Sequence, residues 1–83
     1  MIIRINGVRR IDIDGEYIRL DALLKYASVA STGGEAKILI QSGEVFLNGA
    51  PCTMRGKKIM NGDVVRYGSE TLIVKYDSKR NIS

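Results

Sequence analysis

The chain has 83 residues, 45% hydrophobic and 27% charged, with nine glycines and one proline; a second independent core would need about 40 residues of its own, so a single domain spanning 1–83 is expected. Thirteen Lys and Arg against nine Asp and Glu leave a net charge of +4, which favours a polyanionic partner. With no histidine and one cysteine, Cys52, the chain lacks the commonest general base and zinc ligand and cannot form an internal disulfide or a thiolate metal cluster.

The N-terminal segment 1–16 reads as a hairpin. Ile3 and Ile5 precede Asn6-Gly7, a dipeptide suited to the positive φ angles of a type I′ turn, and Ile11 and Ile13 come after it. Arg9-Arg10 interrupts the alternation. Asp14-Gly15 turns the chain into a short extended piece, Tyr17 to Arg19. From Leu20 the period changes: Leu20, Leu23, Leu24 and Ala27 lie at i, i+3, i+4 and i+7, the apolar stripe of a helix, with Asp21 in its first turn where the dipole favours a carboxylate. Ser28 to Gly34 is a small, polar loop.

Thr32 and Glu35, three apart and just ahead of Ala36, Leu39 and Ile40, form a capping-box pattern, and Gly43 suits the left-handed position that ends a helix. These signals predict a second helix from about Gly34 to Ser42. After it the period becomes two, with Val45 and Leu47 alternating with Phe46. Asn48-Gly49 offers a turn, and Pro51 confines its stretch of chain to an edge or bend. The cluster Arg55-Gly56-Lys57-Lys58 reads as a basic loop. Extended pieces at Val64 to Tyr67 and Leu72 to Tyr76 close the sheet, and 77–83 reads as a frayed tail. No apolar run approaches the roughly 20 residues that cross a bilayer and no charged-then-apolar leader opens the chain, which leads to the expectation of a cytoplasmic protein without a membrane partner. The fold class expected is α+β, two short helices on a small, highly turned sheet.

The basic cluster is the densest positive feature. Alone it is a solvated loop; with Lys25 ending the first helix and Lys37 on the second, packed helices would bring the cations to one face able to grip phosphates. Phe46, if Val45 and Leu47 face inward, points outward and could stack on an unpaired base; the alternative is cover by the N-terminal strands or packing at an edge. Gly33-Gly34 ahead of the second helix would let backbone amides approach an anion, or be flexible spacing before the cap. Asp12, Asp14 and Glu16 lack the later ligands of a calcium loop and read as a solvated strand edge. Cys52 reads as a small buried or half-buried side chain. No nucleophile stands with a plausible base, so a non-enzyme without cofactor or metal is expected.

Arg19-Leu20-Asp21, then the helix with Ala36-Lys37, then Gly43-x-Val45-x-Leu47-Asn48-Gly49, then Gly62-Asp63-x-Val65, occur in that order. The series resembles the ribosomal protein S4-type (S4-like) RNA-binding domain over about 17–67. With little room for an appended catalytic domain, the chain resembles in particular the small stand-alone YaaA-like bacterial proteins, whose Gly-Gly, Ala-Lys and Arg-Gly-x-Lys runs match Gly33-Gly34, Ala36-Lys37 and Arg55-Gly56-Lys57-Lys58. The resemblance implies an αL motif, two helices on a small, mostly antiparallel sheet, with RNA lying along the second helix and the strand and loop after it. Carried over by position, Arg19, Gly34, Lys37, Gly43, Asn48, Arg55, Lys57 and Lys58 are the contact candidates, joined by Lys25 and Phe46 from the residue reading. Thr32 and Glu35 depart from the family, which often carries Arg or Lys there.

The function expected is therefore a non-catalytic binder of structured RNA, ribosomal or transfer RNA, gripped by a basic face on the second helix and the strand and loop after it. Its wider partner would be the ribosome or another ribonucleoprotein. The rival is a protein-interaction or ribosome-assembly adaptor using strand edges and Phe46.

Overall fold

The computed structural model describes residues 7–77. Its elements, in chain order, are β1 (Val8–Asp12), β2 (Tyr17–Arg19), α1 (Leu20–Tyr26), α2 (Gly33–Gln41), β3 (Val45–Leu47), β4 (Ala50–Pro51), β5 (Lys58–Met60), β6 (Val64–Tyr67) and β7 (Glu70–Lys75). This is the expected α+β arrangement of two short helices and small, mostly antiparallel sheets. The strands divide into a five-stranded sheet ordered β1-β7-β6-β3-β4 and a two-stranded ribbon of β2 and β5. All strand pairs are antiparallel except β1 with β7.

Strand β1 adds to the sheet edge with Ile11 opposite Val74, and Ile11 and Ile13 are buried. The arginine that breaks the alternation has a physical explanation. Arg9 shares the inward parity of Ile11 and Ile13. Its Nη2 donates to the carbonyl of Ala27 at 2.6 Å, at the end of α1, and its Nε lies 3.3 Å from Glu70. A cation at a helix C-terminus meets the negative end of the dipole, so an inward arginine is tolerated there. The hairpin expected at Asn6-Gly7, like the frayed tail, falls largely on residues outside those described.

Both helices contribute their apolar stripes to one core: Leu20, Leu23, Leu24 and Ala27 from α1, Ala36 and Ile40 from α2, packed with Val45, Ile59, Val65, Leu72 and Val74 from the strands. The second helix starts one residue earlier than expected, at Gly33, so Gly33 and Gly34 lie in its first turn and not ahead of it. The Thr32 hydroxyl accepts from the Glu35 amide at 3.0 Å, while the Glu35 carboxylate takes the Ser31 amide at 2.6 Å. Gly43, at φ +84°, ends the helix in the left-handed region that an L side chain avoids. Asn48 and Gly49, at φ +51° and +89°, make the turn between β3 and β4, and β4 with Pro51 is an outer strand.

Two further expectations change. Lys58 is not in a loop: it opens β5, because Ile59 takes a fully buried position between exposed Lys58 and Met60. The last strand runs from Glu70 to Lys75, two residues earlier at its start than the apolar run suggests, because Tyr67 and Glu70 pair directly across the Gly68-Ser69 turn.

Candidate nucleic-acid interface

The start of α1 has no cap of its own. Arg19 occupies the N-cap position without accepting from the helix, yet the exposed amides must find partners. The basic segment supplies two of them. The Leu20 amide donates to the Lys57 carbonyl at 2.9 Å and the Asp21 amide to the Arg55 carbonyl at 3.0 Å. The Ala22 amide donates to the Asp21 carboxylate at 2.8 Å. The segment is closed on itself by the Lys57 amide on the Met54 carbonyl, 3.1 Å. Two distant stretches of chain are thus fastened at a helix N-terminus.

Asp21 completes the fastening. Its carboxylate accepts from Arg19 Nε and Nη2 at 3.2 and 3.1 Å and from Arg55 Nε at 3.1 Å. Asp21 is 8% exposed, whereas the guanidinium-bearing side chains of Arg19 and Arg55 are 54% and 42% exposed. Burial pushes the Asp21 pKa up, but the hydrogen bonds from Arg19, the Ala22 amide and Arg55, together with the Arg19 charge, outweigh it and hold the group below its ordinary value. One carboxylate against two guanidiniums leaves an excess positive charge facing solvent. Gly56 lies beneath Arg19: a Cβ there would sit 3.6 Å from Nη2.

The ribbon extends this positive region. Arg19 pairs with Lys58 and Tyr17 with Met60, so all four share the outer face while Ile18 and Ile59 turn inward. The Lys58 ammonium lies 4.7 Å from the centre of the Tyr17 ring, a cation–π contact. Beside the ribbon a depression of about 560 Å³ is lined by Arg19, Asp21, Lys25 and Gly33 among others, so the end of α1 and the first turn of α2 border the same space. Lys37 is exposed one helical turn after Gly33, on the same side of α2. Lys57 also borders a smaller hollow against Leu47, Pro51 and Cys52, the last half-buried.

The fold therefore gathers Arg19, Arg55, Lys57 and Lys58 about the start of α1, with Lys25 in the last turn of that helix and Gly34 and Lys37 on the neighbouring α2. Gly43, Phe46 and Asn48 sit elsewhere and are engaged in the fold. Phe46 is half-buried, with the Arg66 guanidinium 4.5 Å from its ring centre, the two being directly paired across β3 and β6. The Asn48 side chain donates to Asp63 at 3.1 Å and accepts from the Val64 amide at 2.9 Å, and Gly43 serves the helix end. The residue that sequence reasoning missed is Asp21 as a bridge between two arginines. Asp21 was legible only as a first-turn carboxylate, because Arg55 lies 34 positions away.

The small α+β body with cations about its first helix is that of a described domain family. The S4 domain family matches residues 11–75, and the chain belongs to that family. Over 55 residues, 66% of this chain and 78% of the relative, it is 46% identical to the "Probable ribosome maturation protein RlbA" of Bacillus subtilis (strain 168).

Proposed function

We propose that this protein is a non-catalytic binder of structured RNA that acts on ribosomal RNA during ribosome maturation, in the cytoplasm. The observation that carries the reading is the Asp21 bridge, which fixes Arg19 and Arg55 and fastens the 54–57 turn to α1, alongside Lys25, Lys57 and Lys58. Cations from three separate stretches of chain, Arg19 with Lys25, Lys37 on α2, and Arg55 to Lys58, then present one front. Fixed guanidiniums lose little freedom on meeting a phosphate and can grip it in a bidentate fashion. Lysines on flexible stems add long-range attraction and counterion release. An RNA duplex hides its base edges in a deep groove, so a rigid positive front of this kind reads backbone shape and the 2′-hydroxyls. Family membership and the name of the relative support the ribosomal setting.

The test is charge reversal at two exposed positions, Lys37→Glu with Lys57→Glu. Neither side chain is buried, so the fold, read by circular dichroism and a urea midpoint, stays intact while affinity for a ribosomal RNA hairpin is lost. For the wild type, log affinity falls linearly and steeply with log salt. Full affinity in the double variant at moderate salt overturns the proposed face, and a flat salt response favours the adaptor reading.

A further inference from the structure

Resting on the RNA-binding reading, we propose that the hollow between Tyr17 and Tyr26 is a seat for one unpaired nucleobase, which these rings stack while Arg19, Lys25 and Lys58 hold the flanking phosphates. The hollow measures about 250 Å³ and is walled by Ile13, Asp14, Tyr17, Ile18 and Tyr26. That is below the range of about 300–1,000 Å³ typical of drug-sized ligands, which suits a single flat ring system. It shares Ile18 and Tyr26 with the larger depression that carries Arg19 and Lys25, so aromatic and cationic walls adjoin along one path.

Both rings are unusually available. Tyr17 is 48% and Tyr26 62% exposed, although large aromatic groups gain by burial. Each is nonetheless fixed. Tyr17 belongs to a paired strand and carries the Lys58 ammonium against its ring, and the Tyr26 hydroxyl donates to the Asp12 carbonyl at 3.3 Å. Buried Ile13 and half-buried Ile18 give an apolar floor. Aromatic rings held still beside cations are the recurring means of binding unpaired nucleotides, because every base has a π face and every linkage a charge. The Asp14 carboxylate on the wall only accepts hydrogen bonds, so it favours a base edge that offers N–H groups.

The probes are oligoadenylate RNA and an abasic ribose-phosphate strand of equal length, titrated against the full chain at low salt. The chain has four tyrosines and no tryptophan, so stacking quenches its intrinsic emission. The wild type binds oligoadenylate more tightly than the abasic strand, with quenching. Tyr17→Ala weakens oligoadenylate binding about tenfold and abasic binding far less, since there only the support of the Lys58 ammonium is lost, and Tyr17→Phe restores the wild-type value. Tyr26→Ala acts in the same direction, and Tyr26→Phe, which removes only the hydroxyl, retains most of the affinity. Equal affinity of the wild type for both strands, or an unchanged affinity in Tyr17→Ala, overturns the base seat while the cationic front stands. Failure of the wild type to bind either strand or a ribosomal RNA hairpin overturns both readings together.

Discussion

The two helices begin in different ways, and the difference separates local from long-range construction. The start of α2 is satisfied from within its own neighbourhood: Thr32 caps the Glu35 amide and Glu35 reaches back to Ser31. The start of α1 is satisfied mainly by a segment more than thirty residues later, through the carbonyls of Arg55 and Lys57, with its own Asp21 carboxylate shared between a near and a distant arginine. The first arrangement terminates a helix and does little else. The second terminates a helix and also anchors a cationic turn, so its stability and the shape of the positive front are one property.

Removing the bridge should break this contrast most visibly. Asp21→Ala deletes a helix-terminal acceptor, worth about 1 kcal/mol, and leaves two guanidiniums without their shared carboxylate, worth about 1 kcal/mol more given their exposure. A loss of about 2 kcal/mol in urea denaturation, with weaker RNA binding as the 54–57 turn loosens, is expected. An unchanged midpoint would mean that the carbonyl contacts suffice to hold the turn.

Acid titration sharpens the same point. The Asp21 pKa is lowered in the folded chain, so its contribution is fully present above the ordinary aspartate value of about 3.9 and is lost as pH falls through the lower folded value. Asp21→Asn lacks the contribution at every pH. The stability gap between wild type and Asp21→Asn is therefore widest near neutrality and closes below about pH 4. A gap that persisted undiminished in acid would assign the loss to packing and not to charge.

Thr32→Ala is the matching test at the other helix. It should cost about 1 kcal/mol and leave the slope of log affinity against log salt unchanged, because no cation is fastened there. A changed slope would show that the first turn of α2 shapes the front as well.

These starts also explain what could be read in advance. The second helix was legible because its cap, stripe and terminal glycine fall within a dozen consecutive residues. The turn at Asn48-Gly49 was legible because its backbone demand is local. The ribbon was not: Tyr17 meets Met60 and Arg19 meets Lys58 across some forty residues, and three-residue strands carry too little alternation to announce a partner. The basic cluster was visible as charge, but its attachment to α1 runs through carbonyls of Arg55 and Lys57, and main-chain acceptors leave no mark in a sequence. Phe46 shows the same limit from the other side: alternation turned it outward as expected, but its cross-strand neighbour Arg66, with the guanidinium over its ring, comes from twenty residues away.

The smallest effect is expected at Gly56, and it discriminates between two reasons for a glycine in the turn. One reason is backbone freedom; the other is room for the Arg19 guanidinium. Gly56 is not among the glycines with positive φ, and an added Cβ would meet Arg19 Nη2 at 3.6 Å, an ordinary contact with a flexible side chain. Gly56→Ala should therefore keep stability within about 0.5 kcal/mol of wild type, and any loss of RNA affinity should come from the methyl group screening Arg19. If stability instead falls as far as in Asp21→Ala, the turn depends on a backbone motion that glycine alone permits. If neither quantity moves, the face of Arg19 that meets RNA is the one turned away from Gly56, toward Lys25 and the hollow beside it.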